Sequence, residues 1–180
     1  MSAIFLLGFM GSGKSAVARA LSRQLKLPLV DLDARIEQEL GTSIGQFFSS
    51  YGEDAFREVE TRILEGVEAE GVIVSLGGGV PTRSKNREML QLAARKGALV
   101  VYLSASAEIL SERIRRQPGK RPLIDGGGAL DLEATRRRVE ELLEAREAFY
   151  RECASFEVLT DAHTIPQIAD IIAEEWDRLR

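Results

Sequence analysis

The eight residues Gly8-Phe9-Met10-Gly11-Ser12-Gly13-Lys14-Ser15 leave this chain few folds to adopt. An apolar run, Ile4-Phe5-Leu6-Leu7, precedes them and reads as a buried strand. Ala16, Val17, Ala20, Leu21 and Leu25 follow at helical spacing. A strand must therefore turn sharply into a helix around G-x-x-x-x-G-K-[ST]. Gly11 and Gly13 let the backbone curl so that several N–H groups, with those of the helix N-terminus, converge on one phosphate. Lys14 can reach the outer phosphates, and the Ser15 hydroxyl can bind Mg²⁺. The stretch predicts an ATP or GTP site, with Gly11, Ser12, Gly13, Lys14, Ser15 and Ala16 around the phosphates.

At 180 residues the chain is long enough for one well-buried domain and short for two. Twenty-four basic residues against 28 acidic ones, a net charge of -4, argue against a broad nucleic-acid footprint. One cysteine, Cys153, excludes an internal disulfide, and one histidine, His163, excludes a histidine-dependent triad or a multi-histidine metal site. No stretch reaches bilayer-spanning length, and the first apolar run enters the glycine-rich turn without a basic region before it. A cytoplasmic protein is the expectation.

Further along, Leu27-Pro28-Leu29-Val30 leads a second strand into Asp31-Leu32-Asp33, two carboxylates at a strand's carboxyl end, where open α/β sheets bind ligands. They share a side if the extended geometry persists; alternatively, Asp33 merely caps the helix through Ile36 and Leu40. Gly41 ends that helix, Ser43 opens one with Ile44, Phe47 and Phe48, Gly52 breaks it, and a longer helix carries Phe56, Val59, Ile63 and Leu64. Arg57 and Glu60 share a face of it, as a solvated pair or as a site. The strand Val72-Ile73-Val74-Ser75-Leu76 runs into Gly77-Gly78-Gly79, which is either a flexible loop or a place where backbone must approach a ligand closely. A fourth strand over 98–103 leads to a helix with Ile109, Leu110 and Arg113, stopped by Pro118-Gly119. Residues 118–131, with Lys120, Arg121, Pro122 and Gly126-Gly127-Gly128, suit a mobile lid or an idle loop. A helix from about Leu132 to Arg151, a strand over 156–159 and a final helix opened by Thr164 and Gln167 complete the succession. Arg136, Arg137 and Arg138 read as solvated, whereas Arg146 falls near the apolar side; Trp176 and Cys153 read as packing residues. The βα alternation predicts a layered α/β domain with a mainly parallel sheet.

No Asn-Lys-x-Asp pattern for reading guanine is present, which sets aside a GTPase switch, and a motor would call for a second module. Transfer of phosphate to a small acceptor fits the arginine- and aspartate-rich loops. The ordered set Asp31-Leu32-Asp33, Arg57-x-x-Glu60, a strand into Gly77-Gly78-Gly79, and Arg121-Pro122-Leu123 resembles the shikimate kinases over nearly the whole chain. That resemblance implies a P-loop NTPase-type, three-layer α/β/α domain with a five-stranded parallel sheet, like that of the nucleoside monophosphate kinases. The implied reaction is ATP-dependent phosphorylation of the shikimate 3-hydroxyl in aromatic amino acid (chorismate) biosynthesis. Gluconate kinase, or a non-catalytic ATP-binding module, is the alternative.

Residue by residue, the resemblance implies that Asp33 orients the attacking hydroxyl, Arg57 and Arg146 pair with the acceptor carboxylate, and Gly77, Gly78 and Gly79 line the acceptor. Asp31, with Ser15, attends Mg²⁺. Lys14 and Arg121 address the transferring phosphoryl group, and Arg113 lies against adenine. The acceptor region is expected over about 33–62 and the lid over about 118–131, in a single domain spanning 1–180. The partners implied are shikimate and ATP, acting on a monomer with no nucleic acid and no membrane. Two places depart from the family pattern: Gln117-Pro118-Gly119 adds one residue between Arg113 and Arg121, and Val80-Pro81 follows the glycines.

Overall fold

The structure, a computed structural model, describes residues 3–67, 70–116 and 131–180. Strands β1 (Ile4–Leu7), β2 (Leu29–Asp31), β3 (Ile73–Ser75), β4 (Leu99–Ser104) and β5 (Phe156–Leu159) form one sheet in the order β2-β3-β1-β4-β5. All four pairings are parallel. Parallel neighbours need crossovers, and the helices supply them: α1 (Lys14–Leu25), α2 (Leu32–Leu40), α3 (Ile44–Glu65), α4 (Ser84–Arg95), α5 (Ala107–Arg115), α6 (Leu132–Cys153) and α7 (Ile165–Arg178).

Because successive strand residues face opposite sides, β1 feeds two cores. Ile4 and Leu6 join Val17, Leu21, Val101, Ile172 and Trp176 under α1 and α7. Phe5 and Leu7 join Leu32, Phe56, Val74, Val100, Val139 and Tyr150 under the helices of the other face. Strands covered on both faces carry continuous apolar runs, which is why IFLL and LVVYLS show no alternation. The expected three-layer α/β/α arrangement with five parallel strands is thus the observed one.

Local chemistry accounts for the element ends. Asp31, Ser43, Ser106 and Asp131 each accept a backbone N–H from the first turn of the helix they precede, and Thr164 with Gln167 completes the predicted capping box. Gly52 bends α3 without ending it: its φ of 81° and ψ of 175° break the helical path between two stretches that otherwise run on. Among the described residues no helix is long and apolar enough to cross a membrane.

Candidate active site

The carboxyl ends of β1, β2 and β3 open into a cleft of about 1100 Å³. At one end lies the glycine-rich turn. Gly11 and Gly13 hold φ of 83° and 94°, values that a side chain resists, and Gly13 is the residue from which α1 departs. The Lys14 ammonium donates to the carbonyls of Gly8 (2.8 Å) and Phe9 (2.9 Å), folding back along the loop it follows. Ser15 Oγ donates to Asp31 Oδ2 at 3.2 Å. A hydroxyl and a carboxylate at the rim of a phosphate loop are hard oxygen donors of the kind Mg²⁺ takes alongside water and phosphate oxygens, so these residues fit that ion. Among the described residues no group of three or more His, Cys, Asp or Glu side chains gathers as a cage for one.

The aspartate pair differs from the extended picture. β2 ends at Asp31, whose side chain caps α2 by accepting from Ala34 N; Asp33 already lies in the first turn of that helix. The capping role weighed for Asp33 therefore belongs to Asp31, and Asp33 is left to face the cleft, which it lines. Its surface is open to the cleft, yet protein surrounds it closely enough that burial pushes its carboxyl above the usual aspartate range. Lys14 pulls the other way and Asp31 adds to the push. Water in the open cleft still screens this group, so the effect grows when ligands displace that water.

Arg57 and Glu60 are not a surface pair. They are 5 % and 1 % exposed, and Arg57 donates to Glu60 Oε2 at 2.8 Å and to the more exposed Glu53 at 3.1 Å. Burial disfavours the guanidinium charge, but the two carboxylates outweigh it and hold Arg57 firmly cationic. Burial likewise pushes Glu60 upward, with Arg57 opposing. Phe48 and Phe56 flank the guanidinium at 5.9 and 5.2 Å from their ring centres. Arg146, on α6, is also buried and lines the same cleft.

The three glycines are explained by what touches them. A methyl group at Gly77 would sit 2.7 Å from Asp33 Oδ1 and 2.8 Å from Glu60 Oε1, and one at Gly79 would overlap the Arg57 guanidinium. One at Gly78 would meet Met10 N at 3.3 Å and Gly8 O at 3.4 Å. The run is the seam where acid, arginine and phosphate loop meet. Tyr150 closes it from behind, its buried hydroxyl donating to Gly78 O at 2.6 Å.

The sequence left Glu60 open as a solvated partner of Arg57 or part of a site, and gave Tyr150 no role. Glu60 carried a signal, its three-residue offset from Arg57, whereas nothing local marks Tyr150 apart from its place four residues beyond Arg146. Arg113 lies at the other end, donating to Gly11 O (3.4 Å) and Thr160 Oγ1 (3.1 Å) and lining the cleft beside the phosphate loop. Arg121 and the expected lid, except Asp131, lie outside the described residues.

A phosphate loop at one end of a cleft, with a carboxylate and two buried arginines at the other, on a parallel sheet ordered 2-3-1-4-5, is the framework of a small-molecule P-loop kinase. The sequence model of the shikimate kinases matches residues 10–177. The chain belongs to the shikimate kinase family, whose members transfer a phosphoryl group from ATP to shikimate. Shikimate kinase from Enterococcus faecalis is 34 % identical over 176 residues, covering 97 % of this chain and 98 % of that one. The enzyme from Chlorobaculum parvum is 39 % identical over 180 residues, covering 98 % and 93 %. Among solved structures, shikimate kinase from Acinetobacter baumannii in complex with shikimate superposes with a TM-score of 0.86 at 30 % identity, over 97 % of this chain and 92 % of that one. A gluconokinase from Sinorhizobium meliloti, at 20 % identity and a TM-score of 0.61 over 99 % of this chain and 93 % of that one, shares the fold alone.

Proposed function

We propose that this chain phosphorylates the 3-hydroxyl of shikimate, with the acceptor seated between Asp33, Arg57, Arg146 and the Gly77–Gly79 run. The observation that carries the reading is the junction at the three glycines, which brings a carboxylate and a buried guanidinium against the phosphate loop. Gluconate kinase shares the fold, and gluconate carries a carboxylate too, so two arginines fitted for planar, bidentate pairing serve either acid; what favours shikimate is the family to which the chain belongs.

In this reading the acceptor carboxylate pairs with Arg57 and Arg146, which leaves a ring hydroxyl facing Asp33. As the hydroxyl oxygen bonds to the γ-phosphorus, the bond from that phosphorus to the β–γ bridging oxygen breaks, and the hydroxyl proton passes to Asp33. ADP leaves with the bridging oxygen. Lys14 turns from the Gly8 and Phe9 carbonyls to the outer phosphates, where its charge offsets the charge moving toward ADP. Ser15 and Asp31 would hold Mg²⁺, directly or through water, and the ion would supply charge neutralisation for the phosphates. Arg113 stacks on adenine, and Arg121, brought by a lid over about 118–131, reaches the transferring group. The whole is one kinase domain with its acceptor region over about 33–62, acting as a cytoplasmic monomer.

The test is a coupled ADP-release assay with shikimate, gluconate, nucleoside monophosphates or no acceptor. Shikimate is expected to stimulate release far above the others, and a wide preference for gluconate or for a nucleotide overturns the reading.

A further inference from the structure

The Tyr150 hydroxyl sits behind the acceptor end of the cleft without lining it. It is fully buried and donates to Gly78 O at 2.6 Å, and its residue lies four positions beyond Arg146, one helical turn along the same face of α6. We propose that Tyr150 is a positioning residue for the acceptor: from the face of α6 that also carries Arg146, its hydroxyl fixes the Gly78–Gly79 peptide, and so sets the spacing between the two halves of the acceptor pocket. The inference rests on the reading that Arg146 and the glycine run receive the acceptor.

The geometry gives the hydroxyl leverage. In a planar trans peptide the carbonyl and the following N–H point in opposite directions, so anchoring Gly78 O toward α6 turns the Gly79 N–H away from Tyr150. The same anchor keeps Gly79 flush against the Arg57 guanidinium, where there is no room for even one added methyl. Burial pushes the phenol's pKa up to about 12, with Arg146 opposing, so it remains a neutral donor at any pH at which the enzyme works. The ring is held separately, stacked on Tyr102 with centres 5.2 Å apart. Removing the oxygen therefore leaves the packing standing and deletes the hydrogen bond to Gly78.

Tyr150→Phe and Tyr102→Phe, the second altering the neighbouring buried phenol that is not bonded to the glycine run, are compared with the parent by calorimetric titration with shikimate and with ATP, and by thermal melting. Tyr150→Phe is expected to weaken shikimate binding roughly tenfold while ATP binding stays within about twofold, and Tyr102→Phe is expected to leave shikimate binding unchanged. Equal weakening toward both ligands, equal weakening by both variants, or unaltered shikimate binding in Tyr150→Phe each overturns the positioning role. Failure of the parent chain to bind shikimate at all would instead overturn the reading on which this rests.

Discussion

Asp33 shows how one side chain's surroundings decide its use. Its neighbour Asp31 spends its oxygens on the α2 cap and on Ser15, whereas Asp33 stands beside Lys14 on the cleft wall with its carboxyl pushed upward by burial. A carboxylate can accept the acceptor's proton only when ionised, so turnover should climb with pH along an acid limb lying above the ordinary aspartate range. Asp33→Asn should abolish that limb and lower kcat by orders of magnitude, each tenfold corresponding to about 1.4 kcal/mol of barrier. ATP binding, followed by calorimetry, should stay near normal. The folded state holds the Asp33 proton to higher pH than the unfolded chain does, so this group's contribution to stability declines as pH rises through its raised pKa. The open cleft screens that contribution, and the Asn variant should melt within a few degrees of the parent. A variant that no longer binds ATP would assign Asp33 to the nucleotide instead. Glu60 is the opposite case, a charge closed off from water. Glu60→Gln keeps the shape but leaves the buried Arg57, among the described residues, with the half-exposed Glu53 as its remaining ion-pair partner. Breaking a buried pair from one side costs about 3 kcal/mol at the low end, so the urea midpoint should fall with the m-value unchanged. The KM for shikimate should rise with it, and an unaltered midpoint would mean that Arg57 does not depend on Glu60.

At the scale of elements, the chain announced what depends on short-range pattern and concealed what depends on packing. The phosphate loop, the caps at Ser43 and Thr164, and the strand running into three glycines were readable because turn chemistry and apolar periodicity are local. The three-residue β2 was not: its brevity puts Asp33 into a helix, and no local signal distinguishes a strand that ends at Asp31 from one that continues two residues further. The Arg57 and Glu60 spacing fits an exposed face or a buried one, and only the packing of α3 over the glycine run decides between them. For the same reason the three glycines can be told apart only in three dimensions, and that distinction is testable. Gly79→Ala meets the far end of a flexible side chain, so the fold should tolerate it by displacing the Arg57 guanidinium. The expected result is a shikimate KM raised at least tenfold and a lowered melting temperature, because the displaced guanidinium loses its buried pairing with Glu60, while the ATP KM stays nearly unchanged. Gly78→Ala instead presses on the backbone of Gly8 and Met10, which cannot swing aside, and should raise the ATP KM. Steady-state kinetics with each substrate varied in turn decides the matter, and the reverse pattern would sink this division of the run.

At the scale of the whole molecule, the sheet separates two apolar layers, and only one of them supports the acceptor end. The ion pairs along α6, such as Arg136 with Glu140 and Arg137 with Glu133, join exposed groups and add little to stability. The two cores therefore dominate it. Trp176 anchors the layer under α1 and α7 at 2 % exposure. The N-terminus of α7 touches the phosphate loop, since Ile165 Cδ1 lies 3.5 Å from where a Gly13 Cβ would be. Trp176 is eleven residues further on, about 16 Å along the helix at 1.5 Å per residue. A cavity there should loosen the fold without reshaping the cleft. Trp176→Ala is expected to cost about 3–5 kcal/mol of unfolding free energy, read as a lower denaturant midpoint. In the cold, where the variant is still folded, kcat and both KM values should remain within about twofold of the parent. A selective rise in the ATP KM would show that the nucleotide loop takes its shape from the far end of α7, and the separation of stability from catalysis argued here would fail at that helix.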